Sequence, residues 1–357
     1  MTEPEIICEQ RGVAGWITLN RPAALNALTH GMVRAIARAL DEWEHDPKIT
    51  RVVISGAGGR AFCAGGDLRA LYDQGRAGAH DMQLQFWLDE YRLNHRIKTY
   101  SKPYVALIDG IVMGGGVGVA LHGSHRIAGE RFVFAMPEVS IGFFPDVGAS
   151  WFLPRLPGRI GTWAALTGGR FKAGDACGLG LADSYVTTNE WPVLLARLCA
   201  AGDLAEILTK VASPPPPATL PSERTTIDSC FAPGSLAQIC ERLDARAASG
   251  SAFARTAAAS MRKNAPLSMA IALRQLEKGA QMDFAAAMAM EYAIVSRICR
   301  AHDFYEGIRA MIIDKDHAPL WQPAGLDSVE PATVSAYFAP LGVNDRHFRL
   351  LLDENLQ

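Results

Sequence analysis

The stretch YVALIDGIVMGGGVGVALHG, residues 104–123, constrains the fold more than any other part of the chain. YVALIDG is an apolar run closed by glycine, the pattern of a strand buried on both faces. A glycine-bearing loop follows and opens a helical pattern from Gly115 to Leu121. Strand, glycine loop and helix in direct succession make a unit of an α/β fold whose loop backbone can approach a ligand closely. A second loop of the same kind, AFCAGGDL at 61–68, comes after the buried strand RVVISGAG.

The rest of the chain extends this alternation. IICEQ and GWITLN are expected as two short strands joined at Arg11-Gly12, and Thr29 is expected to cap a helix carrying Met32, Ile36 and Leu40. A helical stretch, LQFWLDEYRLNHRI, precedes YVALIDG, and HRIAGERFVFA is expected as further strand. After residue 160 alanine-rich helical patterns dominate, interrupted by Ser-Pro-Pro-Pro-Pro at 213–217, which cannot be helix and is expected as an extended surface linker. Asn264-Ala265-Pro266 should break the helical run from Leu236 to Ile313.

Composition narrows the function classes. A formal charge of -2 lacks the basic face that phosphate-backbone binding needs, so no nucleic-acid partner is expected. Seven scattered cysteines with no Cys-x-x-Cys pair suggest neither a disulfide framework nor a zinc site, and fit a reducing cytoplasm. The acidic opening MTEPEIICEQ does not look like a leader, and no apolar run reaches membrane-spanning length, so neither secretion nor a membrane partner is expected.

Taken singly, the glycine loops fit a close strand-helix contact as well as a ligand site. Gly114–Gly118 lacks the acidic residue a dinucleotide fold places about twenty positions on, and no Gly-Lys-Ser/Thr completes a phosphate loop. The N-terminal amides of the Gly115 helix, with amides of the first loop, could instead hold a negative oxygen. A second oddity lies in MPEVSIGFFPDVGASWFLPRL, residues 136–156, where Glu138 and Asp146 sit among apolar, glycine and proline residues. Carboxylates in low-dielectric surroundings need a partner or a chemical task. The bland alternatives are a first-turn helix residue for Glu138, and a turn residue or cap of a helix from Val147 to Leu153 for Asp146.

ITLNRPAALNALT, GRAFCAGGDL, KPYVALIDGIVMGGGVG and FAMPEVSIGFFPDVGASWFLPRL occur in the order and spacing of the crotonase (enoyl-CoA hydratase/isomerase) superfamily, which residues 5–185 resemble. DEYRLN at 89–94, FPDVG and the longer helical C-terminal part are most similar to its 3-hydroxyisobutyryl-CoA hydrolase branch. The resemblance implies an α/β fold built as a spiral of β-β-α units. Residues 1–185 would form the core with the acyl-CoA site, and 186–357 a helical region serving as lid or homo-oligomer contact. It implies an oxyanion hole from the amides of Gly66 and Gly115, CoA contacts at Ala24, Leu25, Ala64 and Asp67, a substrate contact at Glu90, and chemistry at Glu138 and Asp146. No metal or other cofactor is implied, since CoA arrives as part of the substrate.

Two departures matter. Ala23 stands where many relatives carry lysine near the CoA phosphates, and Gly118 stands where hydratases carry the first of their two glutamates. The missing carboxylate disfavours simple hydration. Thioester hydrolysis is therefore expected, most closely of 3-hydroxyisobutyryl-CoA in valine breakdown. An enoyl-CoA isomerase or hydratase is the alternative within the superfamily, and a noncatalytic acyl-CoA-binding protein the alternative outside catalysis. His122 and His125 are expected to pack or face solvent, and Cys63 to be a small buried filler.

Overall fold

A computed structural model describes residues 3–342. The last part of the expected helical region, residues 343–357, lies outside the described residues. Ten strands are present: β1 (Ile6–Arg11), β2 (Ala14–Leu19), β3 (Arg51–Gly56), β4 (Ala61–Cys63), β5 (Tyr104–Ile108), β6 (Ile111–Met113), β7 (His125–Ala128), β8 (Val133–Ala135), β9 (Phe171–Lys172) and β10 (Ser184–Tyr185). They form a six-stranded sheet ordered β1-β2-β3-β5-β7-β10 and a four-stranded sheet ordered β4-β6-β8-β9. In the large sheet β1 and β2 pair antiparallel and every later neighbouring pair is parallel, while in the small sheet β4 and β6 pair parallel and β8 and β9 antiparallel.

The two strand orders disclose a repeat. In each of the pairs β3–β4, β5–β6 and β7–β8, the first strand joins the large sheet and the second the small one, with helix following. Within the first unit, the segments 64–67 and 114–115 therefore stand at the same place in two successive turns of a β-β-α repeat. HRIAGERFVFA, expected as continuous strand, is two strands in two sheets. Residues 129–132 separate them, and a Cβ at Gly129 would come 2.4 Å from the Asp109 carboxylate, so glycine is required at the start of that turn.

Contacts divide the chain into two compact units rather than at one point. The first comprises Met1–Asp67, Arg92–Phe134 and Phe171–Thr219, and the second Leu68–Tyr91, Ala135–Arg170 and Leu220–Gln357. In the first, Trp16, Val53, Val105, Leu107 and Ile127 of the large sheet pack with Leu194, Leu198 and Leu208 of later helices. Burial of β3 and β5 on both faces explains their unbroken apolar sequences. Ser213 to Pro217 is extended, with the Ser213 amide donating to Tyr185 and the Thr219 hydroxyl to Asp175 beyond it.

The second unit centres on aromatic side chains. Trp87 stacks on Phe143 at 5.8 Å, and Phe304 lies 5.6 Å from Phe143. Among the described residues β10 is the last strand, and every later element is helical. The helix Ala252–Lys263 stops at Asn264 and a new one starts at Pro266. The freed polar groups are used: Asn264 Nδ2 donates to the Leu166 carbonyl and the Ala265 amide to that of Val139.

Candidate active site

The first unit assembles the glycine loops from three chain segments. The Ala64 amide donates to Leu25 at 3.0 Å, the Leu28 amide to Gly65 at 2.8 Å, and the Asp67 amide to Leu28 at 2.9 Å. Gly66 thus lies between the two bonds of a parallel bridge, and its own amide points away from Leu28. Leu25 and Asn26 both have positive φ, at 51° and 58°, an uncommon conformation for two successive non-glycine residues. The buried Asn26 side chain holds the turn, accepting from the Arg21 amide and donating to the carbonyls of Ala57 and Ala61, each at 2.9 Å. Arg21 also donates to Asp67 at 2.9 Å, so this carboxylate, expected at the CoA contact, is tied into the loop.

Gly115 begins the fully buried helix Gly115–Leu121, entered through Gly114 at φ +48°. A Cβ at Gly116 would lie 2.4 Å from the Cys63 carbonyl oxygen, so glycine allows this helix to rest on β4. A Cβ at Gly65 would lie 3.7 Å from the Met113 carbonyl oxygen, which brings the Gly65–Gly66 turn beside the turn that starts the Gly115 helix. Among the described residues no backbone carbonyl outside the helices and strands takes the amides of Gly66 or Gly115. Cys63 is buried, as expected of a filler. His122 is buried and His125 half-buried just past the C-terminal end of the helix.

Gly118 lies one turn beyond Gly115. A Cβ there would meet the Asn94 side chain at 2.6 Å. Asn94 is fully buried, and neither atom of its carboxamide has a hydrogen-bond partner among the described residues. The sequence shows only a missing carboxylate at Gly118, whereas in the fold the Asn94 amide occupies the adjoining space.

The second unit gathers the carboxyl groups. Glu138 opens a 3-10 turn, Glu138–Ile141, directly after Pro137. It is 6% exposed, and its Oε2 has no partner among the described residues. Burial, reinforced by the charge of Asp146, holds its carboxyl well above the usual range. Asp146 is 4% exposed and accepts from the Tyr91 hydroxyl at 2.8 Å, while burial pushes its carboxyl up to about 7. The structure therefore places Glu138 and Asp146 in mutual electrostatic reach, which spacing alone left open.

Glu90 is 2% exposed on the helix His80–Lys98, which removes the reading of a solvated charged face. Its Oε1 is unpartnered among the described residues, and burial followed by the charges of Asp146 and Glu291 raises its carboxyl strongly. Asp146 is not the cap of a Val147–Leu153 helix. The short helix is Ala149–Phe152 with Gly148 as its cap, and Asp146 turns its side chain to Tyr91 instead.

Glu291 and Tyr91 went unnoticed in the sequence. Glu291 is a single acid inside an otherwise apolar helical run, Phe284–Ile298, where pattern assigns it no partner. Tyr91 neighbours Glu90, and tyrosine on an amphipathic helix is ordinary. Among the described residues no group of histidine, cysteine, aspartate or glutamate could hold a metal ion, and no helix is long and apolar enough to cross a membrane.

A sequence-family model described as enoyl-CoA hydratase/isomerase matches residues 14–338. The chain belongs to the enoyl-CoA hydratase/isomerase family. Within it, the chain is 43% identical over 352 residues to the mitochondrial 3-hydroxyisobutyryl-CoA hydrolase of Gallus gallus, covering 96% of this chain and 90% of that protein. Two solved structures are similar over 95% of this chain and 98% of theirs. One is a carnitinyl-CoA dehydratase from Mycobacterium thermoresistibile, at TM-score 0.90 and 39% identity. The other is an enoyl-CoA hydratase from Rhodobacter sphaeroides 2.4.1, at 0.88 and 42%. The crotonase-like α/β fold with a helical C-terminal part, expected from the motifs, is the fold of this enzyme.

Proposed function

We propose that the enzyme hydrolyses the thioester of 3-hydroxyisobutyryl-CoA, releasing 3-hydroxyisobutyrate and CoA, as a step of valine breakdown. The observation that carries this reading is the pairing of Glu138 with Asp146 in a buried acidic cluster while position 118 has no side chain. Identity of 43% to a hydrolase of this name supports it.

In this reading the amides of Gly66 and Gly115 donate to the thioester carbonyl oxygen as it gains charge. Removing one such donor typically costs about a hundred- to a thousandfold in rate. Glu138, in its ionised form, either attacks the carbonyl carbon or takes a proton from an attacking water. Attack expels CoA as thiolate and leaves a mixed anhydride, which water then splits to the free acid and the regenerated carboxylate. Asp146 and Glu90 orient the substrate hydroxyl or the water. Ala24, Leu25, Ala64 and the main chain at Asp67 line the CoA. No metal or redox group takes part.

Hydration is the second reading, because both solved structures above carry lyase names. It requires a second carboxylate, and the Asn94 side chain abuts the place where one would grow from position 118. Thiol release from 3-hydroxyisobutyryl-CoA separates the readings. Glu138→Gln should lower release by about a thousandfold or more while acyl-CoA still binds. Full activity in that variant ends the assignment. An isomerised or hydrated acyl-CoA without free thiol would move the enzyme to the alternative class, and tight binding with no product to a binding protein. We place the reaction in a reducing compartment, the cytoplasm by cysteine usage, although the chicken relative is a mitochondrial protein. A homo-oligomer through the helical part would appear in solution as a multiple of 38.5 kDa.

A further inference from the structure

Val147 is the least comfortable residue of the second unit. It is β-branched and fully buried, yet its φ is +52°, in the left-handed region that such side chains rarely adopt. A conformation of this kind persists only where its surroundings over-determine it, and here the surroundings are specific. Glu291 Oε2 accepts from the Gly148 amide at 2.8 Å and Glu291 Oε1 from the Ser150 amide at 2.9 Å. On the other side of the turn, Gln275 Nε2 donates to the Pro145 carbonyl. Two helices distant in sequence, Pro266–Gly279 and Phe284–Ile298, thus grip the backbone on both sides of Asp146 and Val147.

The grip is unusual for a structural contact. Gly148 and Ser150 stand at the start of the four-residue helix Ala149–Phe152, where no preceding turn supplies carbonyls for their amides. An exposed aspartate cap could satisfy one of them at no desolvation cost. Instead a fully buried carboxyl spends both oxygens there, at a site where burial pushes its own proton affinity up to about 8. A buried carboxyl without compensating return is disfavoured, so the return is the fixed turn.

We propose that Glu291 is a positioning residue for the hydrolytic reaction: by holding the amides of Gly148 and Ser150 it locks the strained Val147 turn and thereby fixes the direction of the Asp146 carboxyl toward Tyr91. The inference rests on the reading of Asp146 given above for its catalytic consequence, but the locking itself is independent of turnover. The groups that face or feel Glu291 are Asp146, Glu90 and Tyr91, all of which carry its charge in their own raised proton affinities or raise its own.

Amide hydrogen exchange of the full chain tests the lock directly. In the unaltered protein the Gly148 and Ser150 amides should exchange at the slow rates of the surrounding core, and fast exchange of either overturns the proposal whether or not Glu291→Gln folds. Glu291→Gln keeps the side-chain volume but turns an NH2 group toward one of the two amides. Peptides spanning 143–152 should lose protection by about tenfold or more while those from β3 and β5 keep theirs, and unchanged protection of 143–152 overturns it.

Kinetics then test the catalytic consequence. Glu291→Gln should lower kcat for thiol release by about ten- to a hundredfold with KM within about threefold, since small displacements of a reacting group cost rate rather than binding. In Asp146→Asn, adding Glu291→Gln should cost little more, as expected of residues that act through one another. Additive losses, or an effect on KM alone, would refute positioning. Absence of thiol release from the unaltered enzyme would instead refute the proposed function and leave the exchange experiment to decide the lock.

Discussion

At the scale of single residues, the second unit's carboxyl groups make a signed statement about pH. Asp146 moves from an ordinary 3.8 to about 7 and Glu291 from 4.5 to about 8, both by burial. Between those limits the folded chain keeps protons that the unfolded chain has released. Their stabilisation is complete below about pH 4 and is lost as pH rises through 7 to 8. The Tm should therefore fall between pH 5 and pH 8, and Asp146→Asn should flatten that fall; a curve parallel to the parent would contradict the assignment. Activity should run the other way, kcat/KM rising through pH 7 as the cluster gives up a proton to supply an ionised carboxylate, with macroscopic values belonging to the cluster as a whole. One turnover in 18O-water tests the anhydride route: label in the Glu138 carboxyl requires that water has split an anhydride at that carboxyl.

At the scale of elements, the contact between the Gly115–Leu121 helix and β4 sets where the Gly115 amide, proposed above as an oxyanion donor with that of Gly66, is held. Gly116→Ala would place a methyl group 2.4 Å from the Cys63 carbonyl oxygen, and the helix must shift to accept it. Overpacking of this kind costs about 1–3 kcal/mol. Moving Gly115 away from Gly66 should also lower kcat by about tenfold or more, with a Tm loss measured alongside. A variant with native kcat would show that the two amides do not act together. This element was largely legible in advance: strand, glycine loop and helix follow from an apolar run, Gly114–Gly116 and the apolar residues after them. Thr29 was equally legible, since its hydroxyl accepts from the Met32 amide as a capping threonine does. What pattern could not supply was register in space. HRIAGERFVFA has the composition of one strand, and its division between two sheets at residues 129–132 is set by strand pairings far away in sequence. Glu291 was invisible for a related reason: an acid on an apolar helix face is explained by its partners, which lie 141 and 143 positions away.

At the scale of the whole molecule, the helical C-terminal region is not an attachment to a self-sufficient N-terminal half. Within the second unit, Gly279 packs so closely on Ser150 that a Cβ would come 2.0 Å from its carbonyl oxygen, and the Val139 carbonyl is met only by the amide of Ala265 among the described loop bonds. A fragment of residues 1–185 would expose these groups together with the apolar faces around Phe143 and Phe144. It should fail to unfold cooperatively, as followed by calorimetry, and should bind apolar dyes; a sharp transition would show that the first half folds alone. Cysteine placement has a practical corollary for every assay proposed above. Cys63, Cys230 and Cys299 are buried, Cys177, Cys199 and Cys240 are partly shielded, and Cys8 alone stands exposed, on the edge strand β1. Colorimetric disulfide reagents added during turnover will therefore meet the Cys8 sulfhydryl slowly, since burial pushes that thiol up to about 11, and a Cys8→Ser background would remove its drift from the baseline.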